Sequence, residues 1–198
     1  MLSLQEVSYK TPPPRCVAVY DKISLEIPYG ENTIILGDNG SGKTTLMKMI
    51  MGFIAPSAGT VEGGCDKVVG VFENYDDQLF FSTVFEEFSS MEYSQKDYSA
   101  VLAALDLKGI VERSTFELSY SQKARLIVAL AYLSGREFML IDSPPQDKMI
   151  NSLLSDIVMK KSRTIVLMLP RDTQELPSGK WQRYMISGRK LVKTDDDQ

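Results

Sequence analysis

The run Gly37-Asp38-Asn39-Gly40-Ser41-Gly42-Lys43-Thr44 fits the spacing G-x-x-x-x-G-K-[ST] without a mismatch. Its chemistry is anion binding. Glycines let the backbone wrap a polyphosphate with N–H groups turned inward, and a following helix N-terminus adds a favourable dipole. Lys43 is placed to reach the β- and γ-phosphates, and the Thr44 hydroxyl to ligate Mg²⁺. The flanks agree: Thr33-Ile34-Ile35-Leu36 enters as an apolar strand, and a helix leaves through Thr45. These residues imply a bound nucleotide. The chain has no histidine, so imidazole is excluded as base, acid or metal ligand.

The elements that must position this loop follow from patterning. Residues 2–9, 17–20, 23–27 and 33–36 carry β-branched and aromatic side chains between turn signals and read as strands. Pro12-Pro13-Pro14 cannot sit in a central strand and marks an exposed loop. Leu46, Met49, Ile50 and Phe53 recur at helical spacing, and Pro56 and Gly59 end that helix. The apolar runs 67–72, 138–141 and 164–169 have the continuous hydrophobicity of strands covered on both faces. Between the first two lies a helical stretch, about residues 74–135, and Ile150, Leu153, Leu154, Ile157 and Val158 predict a helix near 148–161. Alternating strands and helices of this kind make an α/β fold with a mainly parallel sheet.

The 198 residues suffice for one sizeable core. A net charge of -4 argues against a nucleic-acid surface. No stretch approaches the ~20 apolar residues of a membrane span, and residues 1–14 lack the apolar region of a signal peptide. Cys16 and Cys65 have no metal-ligand or redox spacing and read as reduced thiols of a cytosolic protein. Asp195-Asp196-Asp197 reads as a solvated tail.

A loop of this kind serves many nucleotide-binding families. The segment Leu118-Ser119-Tyr120-Ser121-Gln122, followed through Lys123 and Arg125 by Phe138-Met139-Leu140-Ile141-Asp142, resembles the signature sequence and Walker B strand of the ATP-binding cassette (ABC) ATPases. Tyr20-Asp21-Lys22-Ile23-Ser24-Leu25 resembles that family's strand before the phosphate loop, residues 52–61 its glycine-proline-glycine passage, and residues 183–192 its late hairpin. Glu73-Asn74-Tyr75-Asp76-Asp77-Gln78-Leu79-Phe80 resembles the Q-loop of the energy-coupling factor (ECF) and cobalt-type importer ATPases. The resemblance covers essentially the whole chain. It implies one ABC ATPase domain over 1–198: a parallel core and antiparallel β subdomain from 1–73 and 136–198, and a helical subdomain at about 74–135.

By that resemblance ATP and Mg²⁺ are held by Asn39, Gly40, Ser41, Gly42, Lys43, Thr44, Thr45 and Asp142. Thr44, Asp142 and Glu73 would be the metal-side groups. Ser119 and Gln122 would face the ATP of a head-to-tail partner, and Tyr9, with Thr11 as competitor, would stack on adenine. Departures cluster at the hydrolytic positions. Ser143 stands where the water-polarising glutamate is usual, and a serine hydroxyl cannot take a proton from water as a carboxylate does. Pro170 stands at the usual histidine, with Arg171 beside it as an alternative cation. Glu73 replaces the Q-loop glutamine, as a tighter metal ligand, a substitute base or a relaxed position. Tyr120 and Ser121 replace two glycines, and a Cβ at Tyr120 restricts backbone approach to phosphate. After Walker B the chain is short, leaving Asp147 as the nearest D-loop candidate.

The expected function is the ATP-binding subunit of an ABC transporter on the cytosolic face of the membrane, its own site binding nucleotide well and turning it over slowly or not at all. The implied partners are a second cassette, a competent paralogue or the same chain, and an integral membrane subunit docked in the Q-loop groove. Phe72, Tyr75, Phe80, Phe81, Phe85 and Phe88 lie in that vicinity; most of them are expected to fill the core of the helical subdomain, with Tyr75, Phe80 and Phe81 the groove candidates. Ten acidic side chains within 73–117, against only Lys96, Lys108 and Arg113, argue against anionic lipid or nucleic acid there. Two alternatives stand beside this reading: a non-transport ATP-sensing cassette, and a slow homodimeric ATPase with Glu73 as base. The transported substrate and the direction of transport are not written in this chain.

Overall fold

Two sheets with opposite habits organise the molecule. The computed structural model describes residues 1–64, 66–91, 98–173 and 175–194; Cys65, the charged residues Glu92, Lys96 and Asp97, and the acidic tail lie outside them. The first sheet is antiparallel, with β1 (Leu2–Lys10) between β2 (Ala18–Ile27) and β4 (Ala58–Glu62). The second has the order β5-β6-β7-β3-β8-β9, from β3 (Thr33–Leu36), β5 (Val68–Val71), β6 (Phe138–Asp142), β7 (Thr164–Leu169), β8 (Gln182–Ser187) and β9 (Lys190–Thr194). Its strands run parallel except β9, which returns from β8 in a hairpin. Gly188 and Arg189 both have positive φ there, the backbone a two-residue hairpin turn favours.

Parallel pairing puts the C-terminal ends of β3, β6 and β7 on one edge, where ligands of open α/β sheets bind. Register then fixes the meeting of distant residues. Ile35 pairs with Met168, and Met168 with Asp142, so the end of β6 stands level with the end of β3. The central strands are buried on both faces, as their unbroken apolar runs require. Ile34, Met139, Ile141, Ile165, Leu167 and Leu169 join one core with α4 (Tyr120–Leu133) and α5 (Lys148–Lys160). Ile35, Phe138, Leu140, Val166 and Met168 join the other, with α1 (Lys43–Ile50) and the antiparallel sheet. Removing one such side chain, as in Leu167→Ala, costs about 2–5 kcal/mol.

Several sequence expectations change. The two strands expected at 17–20 and 23–27 are one strand, β2. Its break is a bulge: Glu6 and Lys22 both have positive φ, and their N–H groups donate across the pair to Ser24 Oγ (3.1 Å) and Ser8 Oγ (2.9 Å). Helix α1 stops at Ile50, leaving Phe53 exposed in the following turn. Strand β4 was not anticipated. Its side chains are mostly exposed, so its pairing with β1 leaves no apolar alternation to read. The helical stretch is broken into α2 (Val84–Ser89), α3 (Ser99–Ala104) and α4, with short 3₁₀ turns between them. Pro12–Pro14 form an exposed loop, as expected. Among the described residues no helix is long and apolar enough to cross a membrane.

Candidate functional site

The loop between β3 and α1 is built around two close approaches. Gly37 N donates to Leu169 O at 3.1 Å, tying the loop to the end of β7. Gly42 has φ +108, and a Cβ there would sit 2.7 Å from Val19 Cγ1 and 2.9 Å from the Tyr20 hydroxyl. Only glycine suits that position. Lys43 is buried, and its ammonium donates to Gly37 O (2.7 Å) and Asp38 O (3.0 Å), so the cation lies across the mouth of its own loop.

Beneath it the Thr44 hydroxyl donates to Asp142 Oδ2 in a short contact that joins residues 98 positions apart. Ser143 Oγ donates to the other carboxylate oxygen at 3.3 Å, and Ser143 N to Met168 O at 2.9 Å. A cavity of about 300 Å³ opens here, lined by Asn39, Gly40, Gly42, Lys43, Thr44, Thr45, Glu73, Asp142 and Ser143. Its donors suit Mg²⁺, which takes one or two carboxylates and completes its shell with phosphate oxygens and water. Thr44 and Asp142 would hold the ion, and Glu73 lines the same space. No group of three or more acidic, cysteine or histidine ligands occurs among the described residues, so the protein offers no closed cage.

Two tyrosines border this centre. Tyr20 and Tyr75 are buried, and neither hydroxyl has a hydrogen-bond partner among the described residues. Burial, and then the nearby Asp142 carboxylate, raises the Tyr20 pKa. For Tyr75 burial again leads, followed by Tyr120 and the carboxylates of Glu73 and Asp142. Both therefore stay protonated donors.

The remaining predicted residues are distributed differently. Ser41 lines a second cavity of about 310 Å³ on another side of the loop, its hydroxyl buried and without a hydrogen-bond partner among the described residues. Tyr9 sits in β1 opposite Tyr20 and lines neither cavity; Val17, Ala18 and Val19 reach the loop instead. Pro170 follows β7 and offers only its carbonyl, which accepts from the Thr173 hydroxyl at 2.9 Å. Ser119 and Gln122 form a reciprocal capping box on α4: Ser119 N donates to Gln122 Oε1 (2.9 Å) and Gln122 N to Ser119 Oγ (3.3 Å). Asp147 caps α5 and takes a 2.8 Å bond from Arg125 Nε, so its carboxylate is committed within the chain.

Next to the phosphate-loop cavity lies a groove of about 780 Å³ that contains Thr44, Asp142, Glu73, Phe53, Phe72, Phe80 and Tyr120. Phe53 stacks on Phe72 with ring centroids 6.2 Å apart. Phe80 is 81% exposed. Tyr75, expected in this groove, is only 2% exposed and packs against the Tyr120 ring at 5.0 Å. Its ring belongs to the same buried core as Val71, Val84 and Leu118. Sequence reasoning missed what shapes the groove. Gln78 clamps the turn, accepting from Phe72 N (3.0 Å) and donating to Phe72 O (2.9 Å) and Asn74 O (2.7 Å). Buried Glu87 accepts from Phe80 N and Phe81 N, and Thr115 Oγ1 donates to Phe81 O at 2.7 Å. Only the apolar company of Glu87 in 84–88 hinted at such a buried carboxylate.

Three comparisons bear on this geometry. A family model described as ABC transporter matches residues 20–146. An ABC transporter ATP-binding protein of Geobacter sulfurreducens is 32% identical over 91% of this chain and 74% of its own length. The cobalt import ATP-binding protein CbiO of Rhodobacter capsulatus is 35% identical over 66% of this chain, which spans 55% of that protein. Among solved structures, cbiO1 of Clostridium perfringens, part of the ABC transporter complex cbiONQ, superposes with a TM-score of 0.77 at 22% identity, covering 96% of this chain and 86% of its own. An ATP-binding cassette solved as a dimer with ADP and Pi superposes at 0.80 with 19% identity, over 98% of both chains. At such identities these two show the fold.

Proposed function

The chain belongs to the ABC transporter family, and from that premise we propose that it is an ATP-binding subunit whose own site holds nucleotide but turns it over poorly. It would pair head to tail with a second cassette, most simply a paralogue with intact motifs, at the cytosolic face of an integral membrane partner. The observation that carries this reading is the contrast around Asp142. Thr44, Lys43 and Asp142 are assembled on one cavity, whereas the neighbouring Ser143 supplies no carboxylate base and Pro170 no side-chain donor.

The chemistry follows from these groups. Loop N–H groups and the Lys43 ammonium would bind and neutralise the phosphates, and the α1 N-terminus would add its dipole. Bound Mg²⁺ would supply charge neutralisation between the phosphates. Asp142 and Thr44 would orient the ion. No residue among 142, 143 and 170 can accept a proton from water near neutral pH except Asp142, which is already engaged by two hydroxyls. Losing such a base costs about 10²- to 10⁴-fold in rate. The groove with Phe53, Phe72 and Phe80 is where a membrane subunit would dock. Similarity to a cobalt import ATPase favours an importer.

The test is fluorescent-nucleotide binding and phosphate release by the purified chain, with Lys43→Ala as the blank. ATP binding with turnover at the blank level supports the reading, and hydrolysis should appear when a motif-complete paralogue is added. Ordinary family turnover by the chain alone refutes the paired arrangement. A second reading has its own observation: Glu73 lines the phosphate-loop cavity and has no hydrogen bond or ion pair among the described residues. If it serves as base in a slow homodimer, Glu73→Gln abolishes turnover instead of leaving it at the same low level.

A further inference from the structure

The phosphate loop contains one carboxylate, and that is an electrostatic problem. Between Gly37 and Thr44 the acidic residue is Asp38. A polyphosphate approaching this loop meets a like charge unless something cancels it. The structure supplies the counter-charge from β7's far end, where Arg171 Nε lies 3.0 Å from Asp38 Oδ1.

Arg171 is held where this pairing is possible. Pro170 O accepts from Thr173 N (3.3 Å) and from the Thr173 hydroxyl (2.9 Å), which closes a turn around Arg171. The guanidinium also donates to Ile186 O at 3.3 Å, at the end of β8. Thus one side chain bridges β8 and the loop, while Gly37 N ties the loop's first residue to β7. Arg171 and residues 38–41 line the same 310 Å³ cavity. Lys43 reaches the main-chain carbonyl of Asp38 but not, in any hydrogen bond, its carboxylate. A planar guanidinium suits this task, since its donors diverge and its charge does not titrate.

Resting on the reading of this loop as a nucleotide site, we propose that Arg171 is a positioning residue for the nucleotide, acting through Asp38: it neutralises the loop's carboxylate and pins the loop between β7 and β8. In this role it need not touch the phosphates. The consequence is a specific pattern of coupling. Arg171→Ala leaves a bare carboxylate on the loop beside the anion site, and because both side chains are partly exposed the loss is moderate: ATP and ADP bind more weakly, ATP by up to about fivefold because it carries more charge. Removing Asp38's charge as well removes the problem.

The experiment is a double-mutant cycle read by fluorescent ATP and ADP titration. It uses the full chain and Arg171→Ala, Arg171→Lys, Asp38→Asn and the Asp38→Asn/Arg171→Ala pair, each at low and high salt. Melting curves for every variant identify any that fails to fold, and Arg171→Lys and Asp38→Asn keep the fold if Arg171→Ala does not. The expected results are a loss for Arg171→Ala that shrinks as salt rises, partial recovery with Arg171→Lys, tighter binding by Asp38→Asn, and affinity restored by the pair to that of the unaltered chain or better. A pair as weak as Arg171→Ala, or a loss indifferent to salt, overturns the proposal. So does an Arg171→Ala variant that binds ATP as well as the unaltered chain. Failure of the unaltered chain to bind ATP better than Lys43→Ala would instead bring down the nucleotide reading itself, and this inference with it.

Discussion

The phosphate loop and the Ser119–Gln122 turn are both helix N-termini made from small and polar residues, yet they spend those residues differently. At the loop, Lys43 and Thr44 reach across to Gly37, Asp38 and Asp142 around a cavity, and Gly40 and Gly42 keep the backbone open. At the turn, Ser119 and Gln122 bond to each other's backbone, and Tyr120 stands beside the helix start with its ring against Tyr75. One terminus spends its side-chain bonds across an open cavity. The other is satisfied within its own chain. The difference teaches that, on the proposed reading, holding a nucleotide and completing a partner's site are separable tasks assigned to two helix starts of unlike construction.

The largest effect that could break this contrast belongs to Lys43→Ala. Charge-assisted hydrogen bonds are worth about 1.5–3 kcal/mol each, so ATP affinity should fall on the order of 100-fold in a fluorescence titration. A change under threefold would mean the loop is not the binding terminus. Next is Ser143→Glu, which restores a carboxylate beside Asp142. Phosphate release should rise at least about tenfold over the unaltered chain, below the full value of a general base because Pro170 is left unchanged. No gain would place the defect at Pro170 or at the Ser119–Gln122 turn instead.

Smaller effects sharpen the comparison. Gln78→Ala removes three hydrogen bonds from the turn under the groove and should destabilise it by about 1–2 kcal/mol, read as faster amide exchange at Phe72. The smallest concerns pH. Tyr20 and Tyr75 have pKa values raised above the ordinary 10.0, so the unfolded chain releases these protons first as pH rises. Their contribution is intact below about pH 10 and is lost above it. Melting temperatures should fall on the alkaline side, and Tyr20→Phe should flatten that fall without loss near neutrality. An equally steep alkaline limb would assign it to other groups.

Much of this was legible in one dimension. The phosphate loop could be read because its function needs a contiguous set of residue types at fixed offsets. The strands 138–141 and 164–169 could be read because burial on both faces leaves an unbroken apolar run. Strand β4 could not, since it pairs through backbone and shows mostly exposed side chains. The side to which Tyr75 turns is hidden for a related reason. An aromatic residue beside a groove can turn either way, and only the tertiary packing of the core it joins, with Tyr120 against its ring, decides that it turns inward.

The sequence by itself determined the chemistry that depends on local order: a polyphosphate loop, an α/β fold, no imidazole, and a serine where a base is usual. The tertiary structure decided everything that depends on register between strands far apart in the chain. Parallel pairing of β3, β7 and β6 brings Thr44 to Asp142 and Asp38 to Arg171, and buried Glu87 and Thr115 set Phe80 on the surface. Those contacts join residues up to 133 positions apart, where no periodicity can announce a neighbour and only the shared hydrogen-bond ladder fixes the distance.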